Sequence, residues 1–284
     1  MTINYRLAAV IPYINWDYFY FAWGIHNKSE EEKMALRHEA EQLLQKYGWH
    51  YNTHAIFELL EANSDGDDIL VWKINYRELK SGGKKREVKE YRLPFLRQQQ
   101  GNPCMCLADF IAPCTMNGLP AATHQIGLFA TSVDKGMEHD FDNDPYEKMM
   151  MQLMADRLAE ATAERLHKEV RQTYWGYAKD EHLPMEELHT EQFKGIRPAV
   201  GYPSLPDASI NFLIDEILDM KQIGIELTES GAMRPHASVS GLMIAHPHAH
   251  YFDVGRIDEA QLQDYARRRG LPVEEMRKFL QRNL

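Results

Sequence analysis

Cysteine is scarce in this 284-residue chain, with only Cys104, Cys106 and Cys114. Three thiols in a chain of this length make no disulfide framework. Their C-x-C-x7-C spacing matches neither zinc ribbons nor the common iron–sulfur runs, so they read as buried or incidental. Long apolar runs are missing too, and nothing approaches the roughly 18 residues a membrane helix needs. Met1 to Trp23 is aromatic-rich, but Pro12, Asn15 and Asp17 interrupt it, and it lacks the basic-then-apolar layout of a secretion signal. Positive charge is in deficit, with 32 basic against 42 acidic residues and a net charge of −10. That balance argues against general binding to nucleic acid or to anionic membrane, where affinity rests on neutralising phosphates. It leaves open an acidic protein docking on a basic protein partner. The expected setting is the cytoplasm, in soluble form.

Familiar catalytic signatures are also absent. No glycine-rich phosphate loop follows a strand, and there is no G-x-S-x-G elbow. His38-Glu39-Ala-Glu-Gln42 begins like a zinc-protease helix, but Gln42 stands where the second histidine is required. His246, His248 and His250 alternate and would share one face of an extended segment, with His236 as an outlying fourth. Three imidazoles suit zinc. Pro247 favours a turn instead, and no carboxylate or cysteine joins them at ligand spacing, so they read as solvated turn histidines.

What is present is an ordinary globular composition, 44% hydrophobic and 26% charged, with ample length to bury a core. An aromatic belt over 12–25 opens with Asn15, a good helix N-cap. Ser29 caps a helix predicted to run to Tyr47, with Glu30 to Glu32 favourable in its first turn. Asn63 to Asp67 reads as a turn, Ile69 to Tyr76 as a strand, and Ser81 to Lys85 as a hairpin tip leading into Glu87 to Leu93. Ile126 to Val133 is another apolar strand. The longest helix is predicted from Pro145 to Tyr174, with Met150, Met154, Leu158 and Ala161 on one buried face. Ser209 to Gly224 reads as a helix ending in glycine. Val239 to Ile244 and Tyr251 to Ile257 read as strands joined by the histidine turn. A last amphipathic segment, Asp258 to Leu280, breaks near Gly270-Leu-Pro272. Long helices among strands, with a hairpin, favour an α+β fold with an antiparallel sheet, and one domain spanning 1–284.

One loop stands out. Arg197-Pro198-Ala199-Val200-Gly201-Tyr202-Pro203 sets a cation, a glycine and an aromatic ring between two prolines. It can be a plain turn, with Arg197 a surface pair and Tyr202 a lid on the core. It can equally serve a flat charged ligand, with Arg197 paired to a carboxylate, the backbone to a base, and Tyr202 covering both.

Four separated stretches resemble the reactivation (activation) domain of vitamin B12-dependent methionine synthase, in family order over nearly the full length. They are Tyr13-Ile-Asn-Trp16 with Trp23, then Leu96-Arg-Gln-Gln99 with Cys106-Leu-Ala-Asp-Phe-Ile-Ala-Pro113. The third runs from Ala155-Asp-Arg-Leu-Ala-Glu-Ala161 through Tyr174-Trp-Gly-Tyr177 to Gly195-Ile-Arg-Pro-Ala-Val-Gly-Tyr-Pro203. The last comprises Leu227-Thr-Glu-Ser230, Ala237-Ser-Val-Ser-Gly241, His246-Pro247 and Asp264-Tyr-Ala-Arg-Arg268. The resemblance implies a helmet-like, C-shaped α+β domain, a central antiparallel sheet flanked by helices, that binds S-adenosylmethionine in a shallow groove. It implies reductive methylation of cob(II)alamin, with electrons from a flavodoxin-like donor. No side-chain acid, base or nucleophile is then required, since the protein has only to align a methyl donor with its acceptor. The C-x-x-x-C-x-x-C motif of radical S-adenosylmethionine enzymes is missing.

Carried over motif by motif, the resemblance implies that Arg197 binds the ligand carboxylate and that Ala199 and Gly201 offer backbone contacts. Tyr202 would sit where methyl donor meets corrin. Tyr251 and Phe252 would line the groove, with phenylalanine replacing the usual second tyrosine. Glu160 and Glu191 match acidic positions near the site. Asn15 stands where the family has aspartate, expected to face the ligand's amino group, so weaker binding is expected. No D-x-H-x-x-G cobalamin motif occurs, and the chain begins about where the domain begins. The expectation is a stand-alone subunit acting on cobalamin carried by a separate methionine synthase chain. Two alternatives keep the fold: a non-catalytic docking module for a corrinoid protein, or a reactivation partner of another corrinoid methyltransferase.

Overall fold

The computed structural model describes residues 1–78, 84–114 and 124–284. Along the chain come β1 (Thr2–Arg6), α1 (Leu7–Val10), α2 (Trp16–Trp23), α3 (Glu30–Tyr47), β2 (Asn52–Asp65), β3 (Asp68–Glu78), β4 (Lys84–Pro94) and β5 (His124–Val133). Then follow α4 (Gly136–His139), α5 (Pro145–Glu169), α6 (Met185–His189), α7 (Ile210–Leu218), β6 (Glu226–Leu227), β7 (Met233–Arg234), β8 (Ser238–Met243), α8 (Glu259–Arg269) and α9 (Val273–Phe279). The main sheet runs β4-β3-β2-β5-β8, with β1 also paired to β2, and β6 and β7 form a separate ribbon. The registered pairs β1–β2, β2–β3 and β3–β4 are antiparallel, as the α+β reading expects. The chain divides into two compact units.

The first unit comprises Met1–Phe57, Phe129–Phe193 and Leu218–Ser240. Its two early helices start where the sequence places their caps. The side chain of Asn15 accepts the Asp17 N–H at 3.1 Å, and Ser29 and Glu32 form a reciprocal capping box. Asp144 caps α5 and Pro145 opens it, the position where a missing N–H costs nothing. Met150, Met151, Met154, Ala155, Leu158 and Ala161 are buried on α5, which packs against α1, α2 and α3. The predicted helix to Tyr174 changes character at its end. Residues Val170–Tyr174 form a π turn, with the Trp175 N–H donating to the Val170 carbonyl at 2.9 Å. Such a turn re-aims the side chains that follow.

The second unit comprises Glu58–Leu128, Lys194–Ile217 and Gly241–Leu284. The turn expected over 63–67 is shorter, because Asn63 and Ser64 stay in the ladder opposite Leu70 and Ile69. Gly66, at φ +61°, makes the reversal. The second hairpin registers from Asp68↔Pro94 to Glu78↔Lys84, while Ser81, Gly82 and Gly83 of its expected tip lie outside the described residues. Helix α8 packs on β4, and its Leu262, Tyr265 and Ala266 join Leu96, Val254, Ile257, Met276 and Leu280 in one core cluster. The predicted break at Gly270-Leu-Pro272 separates α8 from α9.

Two expectations fail for backbone reasons. The helix predicted over Ser209 to Gly224 splits, because Asp219 takes a left-handed φ of +57°, which a right-handed helix cannot propagate through. A 3₁₀ turn, Met220–Ile223, then reaches Gly224. The strand predicted over Tyr251 to Ile257 does not form. Its Val254 N–H goes to the Pro203 carbonyl and its Ile257 N–H to the Asn283 carbonyl, and Gly255 sits at φ +69°. Alternating apolar residues here answer to two different neighbours and not to one ladder.

Candidate functional site

In the second unit the loop over 197–203 is fixed from below. Ile196 and Ile244 exchange both backbone hydrogen bonds at 2.9 Å, and the Leu242 N–H reaches the Pro198 carbonyl at 3.0 Å. Ala199, which is buried, bridges Gly241 in the same antiparallel sense. The chain therefore leaves the edge of β8 at Ala199 and reverses immediately. The Gly201 N–H donates to Leu205 at 2.8 Å, and the Leu205 N–H to Tyr202 at 2.9 Å. Gly201 adopts φ +89°, the region where a side chain is strained, and a Cβ built there meets nothing within 4 Å. Glycine is needed for conformation, and the space beside it is open. Tyr202 stands 51% exposed next to that space.

Tyr251 joins this loop from the far side of the sequence. Its hydroxyl accepts the Arg197 backbone N–H at 2.9 Å, and the Val254 N–H holds the Pro203 carbonyl at 3.0 Å. Phe252 lies 6.5 Å from the ring of Phe110. Six of the predicted residues, Arg197, Ala199, Gly201, Tyr202, Tyr251 and Phe252, thus belong to one locality, with a guanidinium, an exposed ring and open space beside Gly201. That donor set fits a small zwitterion carrying an aromatic base. The bond from Arg197 to Tyr251 spans 54 residues and had no signal in the sequence.

In the first unit, Asn15 caps α2 and is half-buried. Glu160 lies half-buried on α5, and Glu191 is exposed. A contact that the sequence did not announce ties two of these regions: His189 Nε2 lies 3.1 Å from the Tyr13 carbonyl. Glu191 follows two residues later, as the left-handed residue (φ +59°) of a Schellman ending on α6. Its N–H donates to Leu188 and the Gln192 N–H to Glu187. Glycine is the usual occupant of that position.

The other candidates have ordinary surroundings. His38 pairs with Gln42 on an exposed helix face at 2.9 Å. All three thiols are free, and burial pushes the Cys106 thiol up to about 12, leaving it no nucleophile near neutrality. Among the described residues, no group of three or more histidine, cysteine, aspartate or glutamate side chains is placed to hold a metal ion. No described helix is long and apolar enough to cross a membrane.

Comparison with known proteins is specific. Residues 6–270 match the family model "Vitamin B12 dependent methionine synthase, activation domain". The crystal structure of the MetH reactivation domain bound to AdoHcy superposes with a TM-score of 0.85 at 36% identity, covering 100% of this chain and 90% of that one.

Proposed function

Because this chain belongs to the family of vitamin B12-dependent methionine synthase activation domains, we propose that it binds S-adenosylmethionine and supports reductive methylation of cob(II)alamin carried by a methionine synthase partner. The observation that carries the reading is full-length likeness, at 36% identity, to a reactivation domain bound to AdoHcy. When bound, S-adenosylmethionine supplies an electrophilic sulfonium methyl group. Arg197 pairs with its carboxylate, with two parallel N–H···O bonds available to a guanidinium. Ala199 and Gly201 would present backbone to the base, and Tyr202, half exposed, would cover the ligand. Tyr251 holds the loop through the Arg197 N–H while its ring and that of Phe252 line the ligand. Asn15, Glu160 and Glu191 are proposed as further ligand contacts on the strength of the resemblance.

Methyl transfer of this kind asks for no acid or base from the chain, which orients the methyl donor and keeps water from it. Cobalamin and electrons come from elsewhere, the first from a cobalamin-binding chain and the second from a flavodoxin-like donor, in the cytoplasm. Calorimetric titration with S-adenosylmethionine, repeated on Arg197→Ala, tests the reading. Saturable binding that the variant loses supports it; no binding to the wild type favours a docking module, the alternative that Asn15 in place of aspartate points to.

A further inference from the structure

His246, His248 and His250 form a turn with a definite proton arrangement. The backbone N–H of His248 donates to Nδ1 of His246 at 3.2 Å, so that nitrogen carries a lone pair and the proton sits on Nε2. The Ala249 N–H closes the same turn on the His246 carbonyl at 3.1 Å. Nδ1 of His250 lies 3.1 Å from the His248 carbonyl, which requires a proton there. One ring of the turn must therefore accept where the other donates. His246 is the one that cannot be protonated without losing a bond.

The turn is wired to the ligand segment on both sides. Phe110 packs against His246 at 5.9 Å, His250 at 5.7 Å and Phe252 at 6.5 Å, so one ring touches the turn and the segment beyond it. Tyr251, the next residue after His250, accepts the Arg197 N–H. The charges that bear on His246 are those of His248, with rings 5.7 Å apart, and of His124 at the start of β5. Both repel a proton on His246, and partial burial acts in the same direction, first among the three. The nearest following carboxylate, Asp253, is engaged with the Gly255 N–H at 2.8 Å.

We propose that His246 is a positioning residue for the ligand segment: as a neutral acceptor it holds the turn that sets Tyr251 and Phe252, and a proton on its ring releases them. The inference rests on the S-adenosylmethionine reading for its ligand, but adds to it a residue outside the ligand contacts and a dependence on pH. Acid then weakens ligand binding through the protein, because the ligand's α-amino group, which titrates near about pH 8, only gains charge toward acid.

The test uses S-adenosylhomocysteine, titrated calorimetrically between about pH 8 and about pH 4.5, a span carried below the ordinary histidine range because burial, His248 and His124 make His246 harder to protonate. Wild-type affinity is expected to fall about fivefold toward acid, the equivalent of one ordinary hydrogen bond. His246→Asn sets an amide oxygen near the place of Nδ1, keeping an acceptor that does not titrate; its binding should match wild type at the alkaline end and stay level. His246→Leu should bind about fivefold less tightly even there. Nitrogen-detected NMR of the wild type should show the Nε2–H tautomer for His246 at the alkaline end, whatever the variants do. A level wild-type profile, the same acid loss in His246→Asn, or an Nδ1–H tautomer overturns the proposal while leaving the ligand reading intact. No binding at any pH overturns the ligand reading and this role with it.

Discussion

The backbone N–H of Arg197 donates to the hydroxyl of Tyr251 at 2.9 Å, joining two segments 54 residues apart. Tyr251→Phe keeps the ring and deletes the acceptor. Losing this partly buried hydrogen-bond partner costs about 1–3 kcal/mol, so affinity for S-adenosylmethionine should drop about tenfold. The bond is present without ligand, so the thermal midpoint should also fall by a few degrees, while pairing of Ile196 with Ile244 still anchors the loop. Unchanged affinity in a titration would mean that β8 alone sets the position of Arg197.

Asn15→Asp tests the expectation that this position faces the ligand's amino group. Asn15 already caps α2 through the Asp17 N–H, and aspartate caps as well as asparagine, so the helix is preserved. A carboxylate facing the ligand's ammonium group makes a charged hydrogen bond, worth about 1 kcal/mol more than a neutral one. Binding should tighten about fivefold. An equal or weaker dissociation constant would remove Asn15 from the ligand contacts and leave it as a cap only.

Glu191 separates stability from binding. An L residue held in the left-handed region costs about 1 kcal/mol, and Glu191 occupies it at the end of α6, where glycine is the usual choice. Glu191→Gly should raise the denaturation midpoint and lower ligand affinity together. Strain kept at a position with a cheaper alternative points to a use for the side chain. If the variant gains stability with affinity untouched, Glu191 is a surface charge.

The sequence announced local structure better than long-range pairing. The caps at Asn15 and Ser29, and the break at Gly270, are each decided within a few residues, and each lies where its chemistry puts it. Asp219 could not be foreseen as a left-handed break, since aspartate fits a helix C-terminus and a turn alike. The strand expected at Tyr251 to Ile257 failed because its partners, Pro203 and Asn283, are remote in sequence. The loop over 197–203 stood out by its composition, whereas the hydroxyl that holds it had no signal. His246 read as a solvated turn residue; its role as acceptor depends on a bond from the backbone two residues on.

Asp156 gives a signed pH effect. Burial on α5, the largest influence, raises its carboxyl above the ordinary value, and the pairing with His236 at 3.0 Å opposes that rise. A raised folded value means the group favours the fold most below about pH 4, and that contribution is lost as pH climbs through the folded value. His236 is largely exposed, so its ion pair is worth little. Asp156→Asn should therefore raise the thermal midpoint at neutral pH, with the gain vanishing below about pH 4. A variant less stable at neutrality would show the His236 pair outweighing burial.

Arg171 poses the sharpest stability question. Its side chain is wholly buried, stacked 4.3 Å from the ring of Phe193, with Nη2 and Nε on Glu181 at 2.6 and 2.9 Å. It lies in the π turn, and its carbonyl receives the Ala178 N–H, so the pair ties the end of the long helix to the segment that follows. Glu181→Ala strands a buried cation and should cost about 3–5 kcal/mol in chemical denaturation. Replacing both partners, Arg171→Met with Glu181→Leu, removes the charges together and should cost much less, because apolar pairs of similar volume replace buried ion pairs at little loss. The double variant must then be more stable than Glu181→Ala alone. The reverse order would mean that the pair's geometry, and not the relief of a buried charge, is what the fold requires at the π turn.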